Sequence, residues 1–492
     1  MLEIVCQHTN DFIQQMPKAL RKKYGQFFTS IETARFMASL FDLPDKNELH
    51  ILDPGAGSGI LSIALLENIF KEDDAVTVHL TCYENDPNIQ PLLLSNLELA
   101  SQIFGSNFHY ELERENYILS QSDVFNSILF TEQISKKYDL IIGNPPYMKI
   151  PKEAPEACAM KNVCYGAPNL YFLFTSMSIF NMEEDGELVY IIPRSWTSGA
   201  YFQRFREYLL HETRILHIHL FVSRDEVFKE ESVLQETMII KLKKTKTSPD
   251  EIVISTTQSS KDFQDISKFP VPYSIVVSSK KSYIYLPTDK EEVKSLSILN
   301  QFGNTLLDLG LKMKTGLIVD FRTRELLRDK EEEHAVPLIY SQHIRDGRVR
   351  FPVGKGSEYI VTDKIAFLQR NKNYLFLKRF TAKEEHRRLQ CGIYLKRYLP
   401  NCTYISTQNK VNFIDGIQEI SECLVYGLYV LYNSTLYDMY YRILNGSTQV
   451  NSTEMNEIPV PSLSIIEKMG KELMKTKNLS EAHCDEILNS YI

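Results

Sequence analysis

The apolar run Tyr138-Asp139-Leu140-Ile141-Ile142-Gly143 ends in Asn144-Pro145-Pro146-Tyr147. A continuous apolar run closed by turn residues reads as a strand buried on both faces. Such strands belong to parallel sheets covered by helices on either side. The turn therefore falls at the carboxyl end of a strand, where open α/β sheets bind ligands. Two prolines remove two backbone donors and stiffen the corner. Their carbonyls remain, with the Asn144 amide beside them. The corner thus offers acceptors to a ligand that brings hydrogens, such as an exocyclic amino group. Tyr147 adds a flat face for a planar ring.

The surrounding chain repeats the strand–helix rhythm. Residues 30–41 read as a helix with Ile31, Ala34, Met37, Ala38 and Phe41 on one stripe and Ser30 as cap. Leu49–Leu52 is a short strand, Gly55, Gly57 and Gly59 follow, and Ile60–Glu67 is helical. The next strand, Val76–Tyr83, ends at Glu84, and Asp86-Pro87 opens a helix towards Ala100. A strand near Tyr117–Ser120 is expected to lead to Asp123. Asn169–Asn181 is a helix, Glu187–Ile192 a strand, Tyr201–Leu210 an amphipathic helix, and Ile215–Val222 and Glu236–Leu242 are strands. This alternation predicts a parallel sheet with helices on both faces. After about residue 260 the rhythm fails, and residues 300–460 mix short strands, aromatics and basic residues. The expected division is a catalytic domain over 1–260 and a second, α+β domain over 261–492.

At 492 residues the chain exceeds one hydrophobic core. The opening Met1–His8 lacks a basic region followed by a long apolar one, so no signal peptide is expected. The longest apolar run, Cys423–Tyr432, is too short to span a bilayer. Eight cysteines are scattered without metal-type spacing, which predicts no metal and a reduced, cytoplasmic protein. The net charge of −8 conceals an asymmetry. Residues 301–400 hold 20 Lys and Arg against 12 Asp and Glu, a local excess of +8. A basic domain on an acidic one suits an enzyme of nucleic acid, although charge runs are often solvated surface.

Asp53-Pro54-Gly55-Ala56-Gly57-Ser58-Gly59 lies between a strand and a helix. The spacing is neither the dinucleotide G-x-G-x-x-G nor a phosphate loop, which would end in Lys-Ser/Thr. It suits a small adenosine-bearing cofactor without pyrophosphate, and S-adenosylmethionine (SAM) fits. Asp53 can pair with its cationic end, Glu84 can accept from both ribose hydroxyls, and Asp123 can accept from the adenine amine. Each acid could instead be a helix cap or a solvated strand end.

Together these residues resemble the SAM-dependent methyltransferase fold, and the Asn-Pro-Pro-Tyr turn resembles that of its amino methyltransferases. Tyr24-Gly25-Gln26-Phe27-Phe28-Thr29-Ser30 is similar to the cofactor-binding segment of gamma-class, TaqI-like N6-adenine DNA methyltransferases. Asn169-Leu170-Tyr171 and Pro193-Arg194-Ser195-Trp196 also match, with Phe202 where the family places an aromatic against the target base. The specific likeness covers residues 20 to about 245. The Gly25–Thr29 opening and the length further resemble the BsuBI/PstI branch, which marks adenine in CTGCAG. The glycine loop departs from the pattern, since TaqI-like members often carry fewer glycines there.

The resemblance implies methyl transfer from SAM to N6 of an adenine flipped out of duplex DNA, protecting host DNA from a cognate restriction enzyme. Tyr24, Thr29, Asp53, Gly55, Gly57, Glu84, Asp123 and Asn144 would hold the cofactor. Asn144, Pro145, Pro146 and Tyr147 would form the catalytic corner, with Tyr147 and Phe202 stacking on the base. The C-terminal basic residues would bind DNA, with Arg345, Arg348, Arg350, Lys378 and Arg379 as candidates. A separate endonuclease partner fits such a system, although the sequence does not show one. The same turn serves enzymes that methylate protein glutamine or RNA amino groups. A catalytically silent DNA specificity protein is a third reading, which the intact acid set disfavours.

Overall fold

The computed structural model describes residues 1–15, 29–126, 136–222, 237–260, 262–278, 282–382, 385–445 and 448–492. By contacts the chain divides into two compact units, Met1–Asp289 and Lys290–Ile492.

The first unit is built on one mixed sheet. Its strands are β1 (Glu48–Asp53), β2 (Thr77–Tyr83), β3 (Phe108–Glu113), β4 (Tyr138–Gly143), β5 (Met182–Pro193), β6 (Arg214–Phe221), β7 (Thr237–Lys243), β8 (Glu251–Thr257) and β9 (Ser267–Pro272). They lie in the order β3-β2-β1-β4-β5-β7-β6-β8-β9. The first five run parallel to their neighbours, and β7 inserts antiparallel between β5 and β6. The order reverses direction between β1 and β4, so a crevice opens at their carboxyl ends. Every residue of β4 is buried, including Asp139, whose Oδ2 accepts the His50 amide at 2.8 Å and whose Oδ1 pairs with Lys46.

Both faces are covered. On one, Ile51, Val78, Leu80, Leu140 and Ile142 pack beneath α1 (Leu2–Gln15), α2 (Ile31–Ala38), α3 (Ile60–Glu72) and α4 (Gln90–Phe104). Ser30 caps α2 by accepting from the Thr33 amide at 3.2 Å. Neighbouring strand residues point to the opposite face. There α5 (Tyr117–Asn126), α6 (Pro155–Ala159), α7 (Leu170–Asn181) and α8 (Gln203–Glu212) follow in turn. On that face the Tyr190 hydroxyl of β5 meets Ser178 Oγ of α7 at 2.6 Å. Asn169 caps α7 through the Tyr171 amide.

Two expectations are corrected. The strand placed near Tyr117–Ser120 is the first turn of α5, with Tyr117, Ile118 and Phe125 buried. Asp123 therefore stands exposed on a helix rather than at a strand end. The parallel strand beyond β2 is the earlier Phe108–Glu113, which ends at Glu113. The first unit also runs beyond residue 260, to Asp289. Strand β9 pairs with β8, and the Ile284 amide donates to the Thr197 carbonyl at 2.9 Å.

The second unit contains a six-stranded and a five-stranded sheet among its described residues, built from strands of six residues or fewer. Tyr374, Phe376, Tyr394, Ile405 and Phe413 form part of its core. Helices Glu422–Tyr432 and Leu463–Thr476 cross closely at facing glycines. A Cβ on Gly427 would meet the Ile466 carbonyl oxygen at 1.9 Å, and one on Gly470 the Cys423 carbonyl oxygen at 1.8 Å. Among the described residues no helix is long and apolar enough to cross a membrane.

Candidate cofactor and target-base site

The sheet delivers Asp53, Glu84 and Asn144 to one end, because β1, β2 and β4 are adjacent and parallel. After β1 the chain turns through Gly57 and Gly59, at φ of 56° and 82°. Side chains rarely adopt such angles. At Gly59 a Cβ would also lie 2.8 Å from Leu93 Cδ1. The loop is pinned from the neighbouring strand. The Ala56 amide donates to the Tyr83 carbonyl at 3.0 Å, and the Gly57 amide to Glu84 Oε2 at 3.0 Å. Glu84 Oε1 accepts the Asp86 amide at 2.8 Å. Each carboxylate oxygen retains a further lone pair for an incoming donor. Burial raises the Glu84 carboxyl above its ordinary range.

Asp53 is 1% exposed. Its Oδ2 accepts from Ser62 Oγ at 2.7 Å, a partner that the sequence reading missed. Its Oδ1 has no partner, nor has the buried Ser58 Oγ of the same loop. Burial pushes the Asp53 carboxyl up to about 7, against the opposing pull of the Ser62 hydrogen bond. A buried carboxylate with an idle oxygen is stabilised by a cation. The cationic amino-acid end of SAM supplies one, so the residues present fit this cofactor.

The Asn-Pro-Pro-Tyr corner is built as tightly. A Cβ at Gly143 would stand 2.8 Å from the Tyr190 ring, so the glycine lets β5 close beneath the turn. The Asn144 amide is fixed at both ends. Its Nδ2 donates to Thr29 Oγ1 at 3.3 Å, and its Oδ1 lies 2.8 Å from the Tyr147 hydroxyl. That hydroxyl is also 2.9 Å from the Ile191 carbonyl. Burial raises its pKa well above the ordinary phenol range, so it stays a neutral donor. Thr29 is buried and meets Asn144 from 115 positions away in sequence. Tyr24 lies outside the described residues.

An aromatic wall continues from the corner. The Tyr171 ring stands edge-on to Tyr147, with centroids 6.3 Å apart, and tilted to Phe202 at 6.5 Å. Phe202 also touches Phe172 and Tyr201 and remains partly exposed. The segment leading to it is held by a buried guanidinium. Arg206 Nη1 donates to the carbonyls of Trp196 at 2.9 Å and Ser198 at 2.8 Å, and the group lies over Tyr283. Asp53, Glu84, Thr29, Asn144, Tyr147, Phe202 and Asp123 thus all stand in the first unit, Asp123 as an exposed residue of α5.

The basic residues of the second unit divide into two kinds. Arg348 donates to the hydroxyls of Tyr398 and Tyr426, and Arg379 to the Asn409 carbonyl and Gln449. Arg388 is fully buried, and Arg387 pairs with Glu481 at 2.7 Å. These guanidinium groups already serve the fold. Arg345 and Arg350 are exposed, the latter paired with Asp346 at 2.7 Å, and Lys378 is partly exposed.

Residues 59–228 match the Eco57I restriction-modification methylase family. The chain is 33% identical to the Type II methyltransferase M.BsuBI of Bacillus subtilis, over 96% of this chain and 94% of the relative. It is 32% identical to the Type II methyltransferase M.PstI of Providencia stuartii, over the same shares of each. The Type IIL restriction-modification enzyme MmeI, solved in complex with DNA, shares the fold at TM-score 0.52 and 12% identity. That likeness covers 97% of this chain and 69% of the other. With relatives aligned along nearly its whole length, the chain belongs to the Type II methyltransferases of restriction-modification systems.

Proposed function

We propose that the protein transfers a methyl group from SAM to N6 of an adenine flipped out of duplex DNA, at a defined sequence. The observation that carries this reading is the fixed Asn144 amide, with its oxygen towards the Tyr147 hydroxyl and its nitrogen tied to Thr29. SAM supplies an electrophilic methyl carbon and leaves as a neutral thioether. The adenine amine is a weak nucleophile, because its lone pair is delocalised into the ring. Asn144 Oδ1 and the Pro145 carbonyl accept its two hydrogens and favour a pyramidal nitrogen. The same acceptors stabilise the positive charge that develops on nitrogen. As that charge is relieved, the N–H proton passes to solvent.

Tyr147 does two things in this scheme. Its hydroxyl holds the Asn144 oxygen in position, and the Ile191 carbonyl offers that hydroxyl a second acceptor. Its ring, with Phe202, lines the pocket for the extruded base, where stacking is worth about 1–3 kcal/mol per base. Extrusion costs a few kcal/mol. Asp53 and Glu84 take the cationic and ribose parts of the donor. The second unit contacts DNA, with phosphates setting affinity and base edges setting sequence. A separate endonuclease cutting the same sequence is the partner from which such a mark protects. The test is incubation with labelled SAM and mixed-sequence duplex DNA, followed by mapping of modified bases. One recurring sequence with methyl on adenine N6 supports the assignment; label confined to cytosine, RNA or protein overturns it.

A further inference from the structure

The second unit holds a cleft of about 580 Å³ lined by Asp320, Phe321, Arg324, Tyr340 and Lys355, with Leu327, Arg328, Asp329 and Ser357. Its floor is rigid. Tyr340 is 2% exposed, and its backbone amide donates to His343 Nδ1 at 2.8 Å. That bond makes Nδ1 an acceptor, so Nε2 carries the proton and donates to Glu358 Oε1 at 2.7 Å. Glu358 is pinned in turn by the amides of Val353 and Gly354.

Two oxygens at this floor have no partner. They are the Tyr340 hydroxyl and Asp320 Oδ1. Idle buried polar atoms cost stability unless something pairs them. Some of the charges above are already engaged within the unit. Arg328 pairs with Glu332 at 2.5 Å, and Asp329 accepts from the Ser357 amide at 2.7 Å. Arg324 is exposed, and the Lys355 ammonium rests 3.6 Å from the centre of the Tyr340 ring. Phe321 is 67% exposed, which is unusual for so large an apolar ring. The cleft therefore combines two cations at the mouth, Arg324 and a Lys355 that donates to the Gly356 carbonyl at 2.9 Å, with an exposed Phe321 ring that carries the Arg322 guanidinium on it, and two unpaired oxygens below.

We propose that this cleft is a sequence-reading site for DNA, in which Asp320 and the Tyr340 hydroxyl pair with the edge of one base. Lys355 leaves the Tyr340 ring and the Gly356 carbonyl for a backbone phosphate, while Arg324 takes an adjoining phosphate. Carboxylates read an exocyclic amino group by accepting its hydrogen. The inference rests on the reading of the chain as a DNA methyltransferase.

The test uses the full chain and first maps the sequence that the wild type methylates. Asp320→Asn keeps the shape but turns an acceptor into a donor, and Tyr340→Phe removes only the idle hydroxyl. Because that hydroxyl has no partner in the free protein, Tyr340→Phe should melt no lower than wild type. Both variants should accept other bases at one position of the sequence, with discrimination there falling roughly 5- to 150-fold. Arg324→Ala should weaken binding to all duplexes alike and lower the salt slope by about 1. A folded Tyr340→Phe or Asp320→Asn variant with an unchanged methylation sequence overturns the proposal, whatever Arg324→Ala does. Absence of DNA methylation by the wild type would instead strike the functional reading itself.

Discussion

Asn144 is held by a hydroxyl at each end of its amide, which is how a rigid acceptor is made from a flexible side chain. Asn144→Ala removes that acceptor without touching Asp53 or Glu84. Methyl transfer in single-turnover assays should fall by at least about 10²-fold, the scale of losing one transition-state hydrogen-bonding group. SAM affinity by calorimetry should change only a few-fold; near-normal turnover would remove Asn144 from the chemistry. Asp53 gives a second residue-scale prediction. Its carboxyl is raised to about 7 in the free protein. The unfolded chain releases this proton near the ordinary carboxylate value, so the free fold loses stability as pH rises through 7. A cationic ligand favours the ionised form, so SAM should bind more tightly at pH 8 than at pH 6 and raise the melting temperature more there. Ser62→Ala removes the larger of the two hydrogen bonds that oppose the shift, the other coming from the Gly55 backbone, and should move the midpoint to higher pH. Equal SAM affinity at both pH values would detach Asp53 from the cofactor.

At the scale of elements, Arg206 ties α8 to the turn that precedes Phe202 through two carbonyls. Arg206→Met leaves both without this donor and should destabilise the first unit by about 1–3 kcal/mol in denaturant melts. The signal from 2-aminopurine at the target position should fall as well, because Phe202 loses its anchor. Unchanged base extrusion in a destabilised variant would make Arg206 a purely structural group. Elements with long or strongly apolar patterns were legible in the sequence, among them β1, β4, α7 and α2 with its Ser30 cap. The third strand was not. Tyr117, Ile118 and Leu119 form a short apolar run, and such runs fit helix and strand alike. Strand β3, at the sheet edge, alternates only weakly and buries only Phe108 completely. The error moved Asp123 to a strand end that it does not occupy. Ser62 and Arg206 gave no signal, since a buried hydrogen bond across nine residues has no sequence period. Thr29 was reached only through a segment resemblance, because its partner Asn144 is remote in sequence.

At the scale of the whole molecule, the charge asymmetry was legible and its use was not. Lys and Arg exceed Asp and Glu between residues 301 and 400, yet Arg348, Arg379, Arg387 and Arg388 are engaged inside the second unit. The strands there are too short for periodicity to separate a structural arginine from a DNA-facing one. DNA affinity should nevertheless fall steeply as salt rises from 50 to 200 mM, by roughly 10-fold or more even for a few phosphate contacts. A flat response by fluorescence anisotropy would contradict a basic DNA face. The most direct measurement is nucleoside analysis of duplex DNA treated with purified protein and methyl-labelled SAM. The label should appear in N6-methyladenine and vanish with Asn144→Ala; label in N4-methylcytosine alone, or none in DNA, would contradict the assignment.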